Sequence, residues 1–80
     1  MLEIQESVNV WVFFKGKSIE PWCFFWNKRQ IKVDKINLVH TSKNGEDTFY
    51  HFSISSAGNF YRLKLDLNKL KWTLEAVDEG

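Results

Sequence analysis

The chain has 80 residues, a length that suits one domain and leaves no room for a second. Apolar residues make up 44% of it, aromatic residues 16% and charged residues 26%, a composition that excludes disorder, collagen and coiled coil. The net charge of +1 is too close to neutral for a polybasic nucleic-acid-binding protein. The length predicts a single domain spanning residues 1–80, with its ordered core at about residues 7–77. We expect it to be a β domain, because of the alternation of side chains along the chain.

Cysteine content and the N-terminal residues predict a cytoplasmic protein. Cys23 is the only cysteine, whereas small secreted domains usually carry several in disulfides. Residues 1–6 are acidic where a signal peptide would be basic. The longest apolar runs, 10–14 and 22–26, are far shorter than the roughly 20 residues that cross a bilayer, so no membrane association is expected.

Alternation of side-chain character in the first half of the chain predicts β-strands. The first strand alternates over 8–14 and ends at the turn 15–17. Pro21 lacks a backbone N–H and favours the start of the second strand, 22–26, which is apolar on both faces. A polar turn at 27–29 follows.

A change of phase marks the next strand. Its apolar residues stand at odd positions in Ile31 and Val33 but at even positions from Ile36 onward, which predicts a β-bulge or sharp bend at 34–35. The Asn-Gly pair at 44–45 then predicts a type I′ hairpin, because both residues tolerate a positive φ.

The last three strands, at about 48–55, 60–67 and 70–76, have the most regular alternation. A helix over 63–74 is the alternative, but Leu65 and Trp72 do not fit its apolar face. About six strands with short turns predict an all-β fold, an antiparallel meander that forms a small, partly open barrel or a strongly twisted sheet. The predicted interior consists of Val8, Val10, Val12, Tyr50, Phe52, Ile54, Tyr61, Leu63, Leu65, Leu70, Trp72 and Leu74.

A series of landmarks runs through this pattern: a Pro-x-x-Phe-x-Trp segment, a basic turn residue, a tyrosine strand, a glycine turn and a closing Trp-x-Leu. They are Pro21, Phe24 or Phe25, Trp26, Arg29, Val33, Ile36, Tyr50, Gly58, Tyr61, Leu63, Trp72 and Leu74, within residues 8–77. In this order they resemble a family of short uncharacterised bacterial all-β domains, a domain-of-unknown-function family. Lys28 stands where that family has glycine, and Val39-His40 where it often has tryptophan. The resemblance implies a bacterial cytosolic protein with no assigned enzymatic activity, and it transfers no site residue.

Few residues of the chain are suited to catalysis. Cys23 has apolar neighbours, and the favoured interpretation is a buried, inert core cysteine. His40 and His51 lack the paired spacing of zinc ligands. The sequence shows neither a glycine-rich phosphate loop nor a Ser/His/Asp signature. We predict a protein that is not an enzyme, holds no metal and uses no cofactor.

Large aromatic residues remain on the face opposite the predicted interior, and they require a functional explanation. Either Trp22, Phe24 and Trp26 or Cys23 and Phe25 join that face. Aromatic residues together with arginine are typical of interface hot spots. We therefore predict a non-catalytic bacterial protein-interaction module that forms a homodimer or docks on a protein partner. Its predicted binding residues are Trp11, Phe13, Phe49, Phe60 and Arg62.

Two alternatives stay open. The protein could bind single-stranded nucleic acid by stacking bases on these aromatic rings beside Lys28, Arg29, Lys64 and Lys71, although acidic residues are interspersed. In the second alternative the same rings fill a second small core, which would leave no functional face.

Overall fold

Residues 1–79 are described by a computed structural model and form eight strands with no helix. The strands are β1 (Leu2–Ser7), β2 (Asn9–Lys15), β3 (Ser18–Trp26), β4 (Arg29–Lys32), β5 (Lys35–Asn44), β6 (Asp47–Ser56), β7 (Asn59–Asp66) and β8 (Lys71–Glu79). Among these residues, therefore, no helix is long and apolar enough to span a bilayer.

The strands form two antiparallel sheets. The larger has five strands in the order β1-β8-β7-β6-β5, and the smaller has three in the order β2-β3-β4. The predicted all-β, antiparallel fold is confirmed, but the predicted six strands and barrel are wrong. The sheets keep separate edges because the chain leaves one for the other after β4, and β1 pairs with β8 rather than with β2. Strand pairing begins at Leu2, before the predicted start of the core at residue 7.

One apolar core lies between the two sheets, which face each other as in a β-sandwich. Tyr61 of the larger sheet makes edge-to-face contacts with Phe24 and Trp26 of the smaller one, at centroid distances of 5.3 and 6.4 Å. The fully buried side chains include Phe24, Phe52, Ile54, Leu63 and Leu74.

Most of the predicted interior is confirmed by burial, but Leu70 is not. Its side chain is 75% exposed, and its φ of 53° places it in the turn before β8 rather than in a strand. The predicted β8 therefore began one residue too early.

Hydrogen bonds fasten the two sheets together where the chain crosses between them. The Asp34 N–H donates to the carbonyl of Ser55 at 2.9 Å, and the Ala57 N–H donates to Asp34 Oδ2 at 2.9 Å. The buried Ser56 hydroxyl donates to the carbonyl of Lys32. The end of β4 is thereby fixed to the end of β6.

The irregularity predicted at 34–35 is found one residue earlier, as a strand break at 33–34 where the chain crosses between the sheets. A β-bulge also occurs, but it lies in β5 between Ile36 and Leu38, where Asn37 is the unpaired residue. The phase change seen in the sequence therefore combines a strand break and a nearby bulge.

Two hairpin turns show where positive φ is required. Gly45 has a φ of 65° and Asn44 pairs with Asp47, so the turn occupies 45–46 with glycine at its first position, as in a type II′ turn. The predicted type I′ turn at 44–45 is therefore wrong by one residue. Ala57 and Gly58 both have positive φ, 49° and 83°, in the turn between β6 and β7.

Candidate functional site

The outer face of the three-stranded sheet carries four large aromatic side chains, which we call the aromatic face: Trp11, Phe13, Trp22 and Phe25. Each is between 39 and 59% exposed. The rings of Phe13 and Trp22 stack at a centroid distance of 5.7 Å with an interplanar angle of 29°. Such a group of rings on one face, turned away from the core, is the usual mark of an interaction surface.

A bulge in β3 explains how Trp22 and Phe25 come to share this face. Trp11 pairs with Cys23 and Val12 pairs with Pro21, so Trp22 is an extra residue opposite β2. A bulge resets the alternation of side chains along a strand. Of the two alternatives given by alternation for this strand, the one with Cys23 and Phe25 on the outer face is therefore confirmed for these two residues, and the bulge adds Trp22 to them, while Phe24 is buried in the core.

Cys23 lies among these rings on the same side of the sheet but is only 1% exposed. The Nε2 atom of Gln30 lies 3.2 Å from its sulfur. The predicted burial of this free cysteine is confirmed. Charged residues border the face at three places: Lys15 follows Phe13 on the same side of β2, Lys32 lies opposite Cys23, and Glu20 lies opposite Phe13.

The other predicted binding residues lie on the outer face of the five-stranded sheet, on the opposite side of the sandwich. Phe60 is 45% exposed there, and Phe49 has the Nζ of Lys64 at 5.3 Å from its ring centroid. The Nη2 of Arg62 lies 3.2 Å from the sulfur of Met1. Trp11 and Phe13 are thus brought together, whereas Phe49, Phe60 and Arg62 belong to a different surface.

The basic residues of the nucleic-acid alternative are also divided. Lys28 lies in the turn between β3 and β4, and Arg29 is the first residue of β4. Lys64 and Lys71 lie on the outer face of the five-stranded sheet, where Asp66 pairs directly with Lys71. These residues do not line one basic groove.

A hydrogen-bonded series of side chains crosses that same outer face. The Ser42 Oγ is 2.7 Å from the Nε2 of His51, and the Nδ1 of His51 is 3.0 Å from the Oε1 of Glu75. The His40 ring stacks on His51 at 4.6 Å with an interplanar angle of 8°. Three strands, β5, β6 and β8, contribute these residues.

Sequence reasoning missed this group because its members are far apart in the chain. The hairpin could have shown part of it, since a turn at 45–46 pairs His40 directly with His51. The turn predicted at 44–45 pairs His40 with Phe49 instead. A one-residue error in the turn therefore concealed the contact between the histidines.

An open cleft of about 630 Å³ lies between the start of β3 and strands β5 and β6. Its apolar lining consists of Ile19, Ile36, Val39 and Tyr50. Within residues 1–79, no group of three or more His, Cys, Asp or Glu side chains is arranged to hold a metal ion. Both ring nitrogens of His51 are already engaged by Ser42 and Glu75.

These features define the chain as a small two-sheet β domain with an exposed aromatic face. No protein-family model matches it, and comparison with curated proteins and with solved structures gives no significant match.

Proposed function

We propose that the protein is an interaction module that forms a homodimer through its aromatic face, a function that needs no catalysis at that face. The observation that supports this most directly is the group of four partly exposed rings on one outer face, with the stacked pair Phe13 and Trp22 at one end. Aromatic side chains in contact with one another lose little conformational freedom on binding, because their neighbours already restrict them.

The exposed area of these rings suits the centre of a small dimer interface. Large aromatic side chains present about 200 Å² each, so at 39–59% exposure the four leave about 400 Å² in solvent. A standard interface covers about 800 Å² on each partner. The rings would therefore supply about half of it, with polar residues around them as the rim.

The charges at the border favour a second copy of the same chain over a charged partner. Lys15, Lys32 and Glu20 give the border two positive side chains and one negative one, each on a different strand of the sheet. In a twofold-symmetric dimer each patch meets itself, so a surface with both signs can be complementary to its own copy. A strongly acidic or basic partner would meet a charge of its own sign at this border as well as charges of the opposite sign.

Two phenylalanines provide a matched test, because Phe25 and Phe60 are each 45% exposed but lie on opposite outer faces. Sedimentation velocity over a range of concentrations would compare the wild type with Phe25→Ser and Phe60→Ser. Each interface contains Phe25 twice, so its loss is expected to weaken dimerisation by at least 2 kcal/mol, about 30-fold. Phe60→Ser is expected to dimerise like the wild type. A wild type that is monomeric at every concentration, or equal effects of the two substitutions, would contradict the proposal.

Single-stranded nucleic acid receives less support from this arrangement. The Lys64 ammonium group lies over one face of the Phe49 ring, a position that a stacking base would need. Titration with a short oligonucleotide at low and high salt would separate the two functions. We expect no salt-sensitive quenching of tryptophan fluorescence; strong quenching that salt reverses would favour nucleic-acid binding over the dimer.

A further inference from the structure

The series Ser42, His51 and Glu75 has the order of a nucleophile, its base and the group that orients the base. Its two contacts, 2.7 and 3.0 Å, are within hydrogen-bond distance. We propose that Ser42 is a nucleophilic serine that accepts a small acyl group from activated acyl donors, such as aryl esters or thioesters, with His51 as the general base.

Glu75 determines which nitrogen of His51 carries the proton. An ionised carboxylate can only accept hydrogen bonds, so the Nδ1 that contacts Glu75 must carry the hydrogen. In the neutral ring this leaves the lone pair on Nε2, directed at the Ser42 hydroxyl. The hydroxyl therefore donates to a nitrogen that can take its proton.

The surroundings hold His51 in this orientation. The side chains of His51 and Glu75 are each 14% exposed, and the ring of His40 lies flat against that of His51. Lys64 is the direct neighbour of His51 on β7. A ring held between these groups has little freedom to rotate, so the base remains aligned with the hydroxyl before any donor arrives.

Ser42 itself is exposed, and it lies on an edge strand of the larger sheet. An edge strand leaves alternate backbone N–H groups unpaired. We expect such an N–H group beside Ser42 to donate a hydrogen bond to the oxygen of the attacked carbonyl. Because no enclosed pocket is formed by these three side chains, the site suits small acyl groups and selects the donor by its reactivity.

The chemical step is an acyl transfer without change of oxidation state. The Ser42 Oγ forms a bond to the acyl carbon while its proton passes to His51 Nε2. The bond between that carbon and the phenolate or thiolate leaving group then breaks, and the leaving group departs with the electron pair. The proton returns from His51 to solvent or to the leaving group. The products are an ester on Ser42 and a free phenol or thiol.

The first test uses the unmodified protein and p-nitrophenyl acetate, with peptide mapping of the acetylated sites by mass spectrometry. Ser18 and Ser53 are internal controls: Ser18 is exposed like Ser42, and Ser53 lies on the same sheet. Hydroxylamine treatment distinguishes a serine ester from an acetylated lysine, because only the ester is cleaved. A positioned general base contributes about 10²-fold or more, so Ser42 should be acetylated about a hundredfold faster than either control. Equal rates at the three serines would overturn the proposal.

Variants test whether the base acts through this geometry, with circular dichroism as a check on folding. His51→Gln is expected to reduce acetylation of Ser42 to the rate of Ser18, and Glu75→Gln to reduce it by a smaller factor. The matched control is Glu79→Gln, a carboxylate on the same strand as Glu75, which should retain most of the wild-type rate. Unchanged acetylation in folded His51→Gln would overturn the proposal. The comparison of serines within the wild type remains informative if a variant does not fold.

Discussion

The hydroxyl of Ser56 joins the two sheets, and its removal is a direct test of how they are fastened. Ser56 lies at the end of β6, is 7% exposed and donates to the carbonyl of Lys32 at the end of β4. Replacement by alanine removes the donor and leaves that carbonyl without this partner. The backbone bond from Asp34 to Ser55 and the Ala57 bond to Asp34 do not involve the hydroxyl and should remain.

The expected loss of stability from Ser56→Ala is about 1–2 kcal/mol, because an intramolecular hydrogen bond contributes roughly 0.5–1.5 kcal/mol and a donor or acceptor left without its partner adds to that cost. A domain of this length has a free energy of unfolding of about 4–12 kcal/mol, so the change is a substantial part of the total. With a urea dependence of about 1–2 kcal/mol/M, the unfolding midpoint should fall by about 1–2 M. The thermal midpoint should fall by about 10 °C.

Urea unfolding followed by tryptophan fluorescence measures this change, and Ser55→Ala is the matched control. Ser55 is the adjacent residue, only partly buried on the outer face, and its part in the crossing is made by its carbonyl. Its substitution should change stability by less than about 0.5 kcal/mol. If Ser56→Ala left the free energy of unfolding unchanged, or if both substitutions lowered it equally, the inference that the Ser56 hydroxyl stabilises the contact between the two sheets would be contradicted.

Three further predictions follow from burial and backbone conformation. Ala57→Asn should stabilise the fold by about 1 kcal/mol in thermal unfolding, because asparagine tolerates the φ of 49° better than alanine. Leu74→Ala should cost about 2–5 kcal/mol in urea unfolding and Leu70→Ala less than about 0.5 kcal/mol, because the first side chain is fully buried and the second is in the solvent. Cys23 should react with iodoacetamide slowly in the native protein and rapidly in urea; rapid native alkylation would contradict its burial.

The second half of the chain was predictable because its strands obey a simple alternation. Tyr61, Leu63 and Leu65 face the core in β7, and the residues between them face outward. Short turns connect β6, β7 and β8 in chain order, so sequence neighbours are also sheet neighbours. When strands that follow one another in the chain pair with each other and one face of the sheet is buried, the alternation of residues along each strand predicts which side chains face the core.

The division into two sheets was not predictable from the same signal. A strand break at 33–34 looks the same in the sequence whether the chain continues in one sheet or moves to another. The pairing of β1 with β8 joins the two ends of the chain, and such a contact leaves no local pattern. The bulge at Trp22 had a similar effect, because one inserted residue reverses the faces that parity assigns.

The candidate site was predictable only in part, for a related reason. Parity in β2 correctly placed Trp11 and Phe13 on a common outer face, since that strand has no inserted residue. The alternation of residues within a strand does not show to which sheet an outer face belongs. For this reason the sequence predicts Phe49 and Phe60 on the same surface as Trp11 and Phe13, although they lie on a different sheet. The sequence thus identifies exposed aromatic residues, but the topology decides which of them can meet one partner.

The three-stranded sheet explains why an aromatic face exists at all. Its inner side covers the core with Phe24 and Ile31, while its outer side carries Trp11 and Phe25 on the same strands or their neighbours. A sandwich of two sheets covers only the inner side of each, so a sheet that is apolar on both sides leaves one apolar side in contact with solvent. The five-stranded sheet differs, because its outer face is mainly polar and holds the Ser42 series. The two proposals therefore occupy opposite faces of the sandwich, and a substitution such as Phe25→Ser should weaken dimerisation about 30-fold or more without altering the acetylation of Ser42.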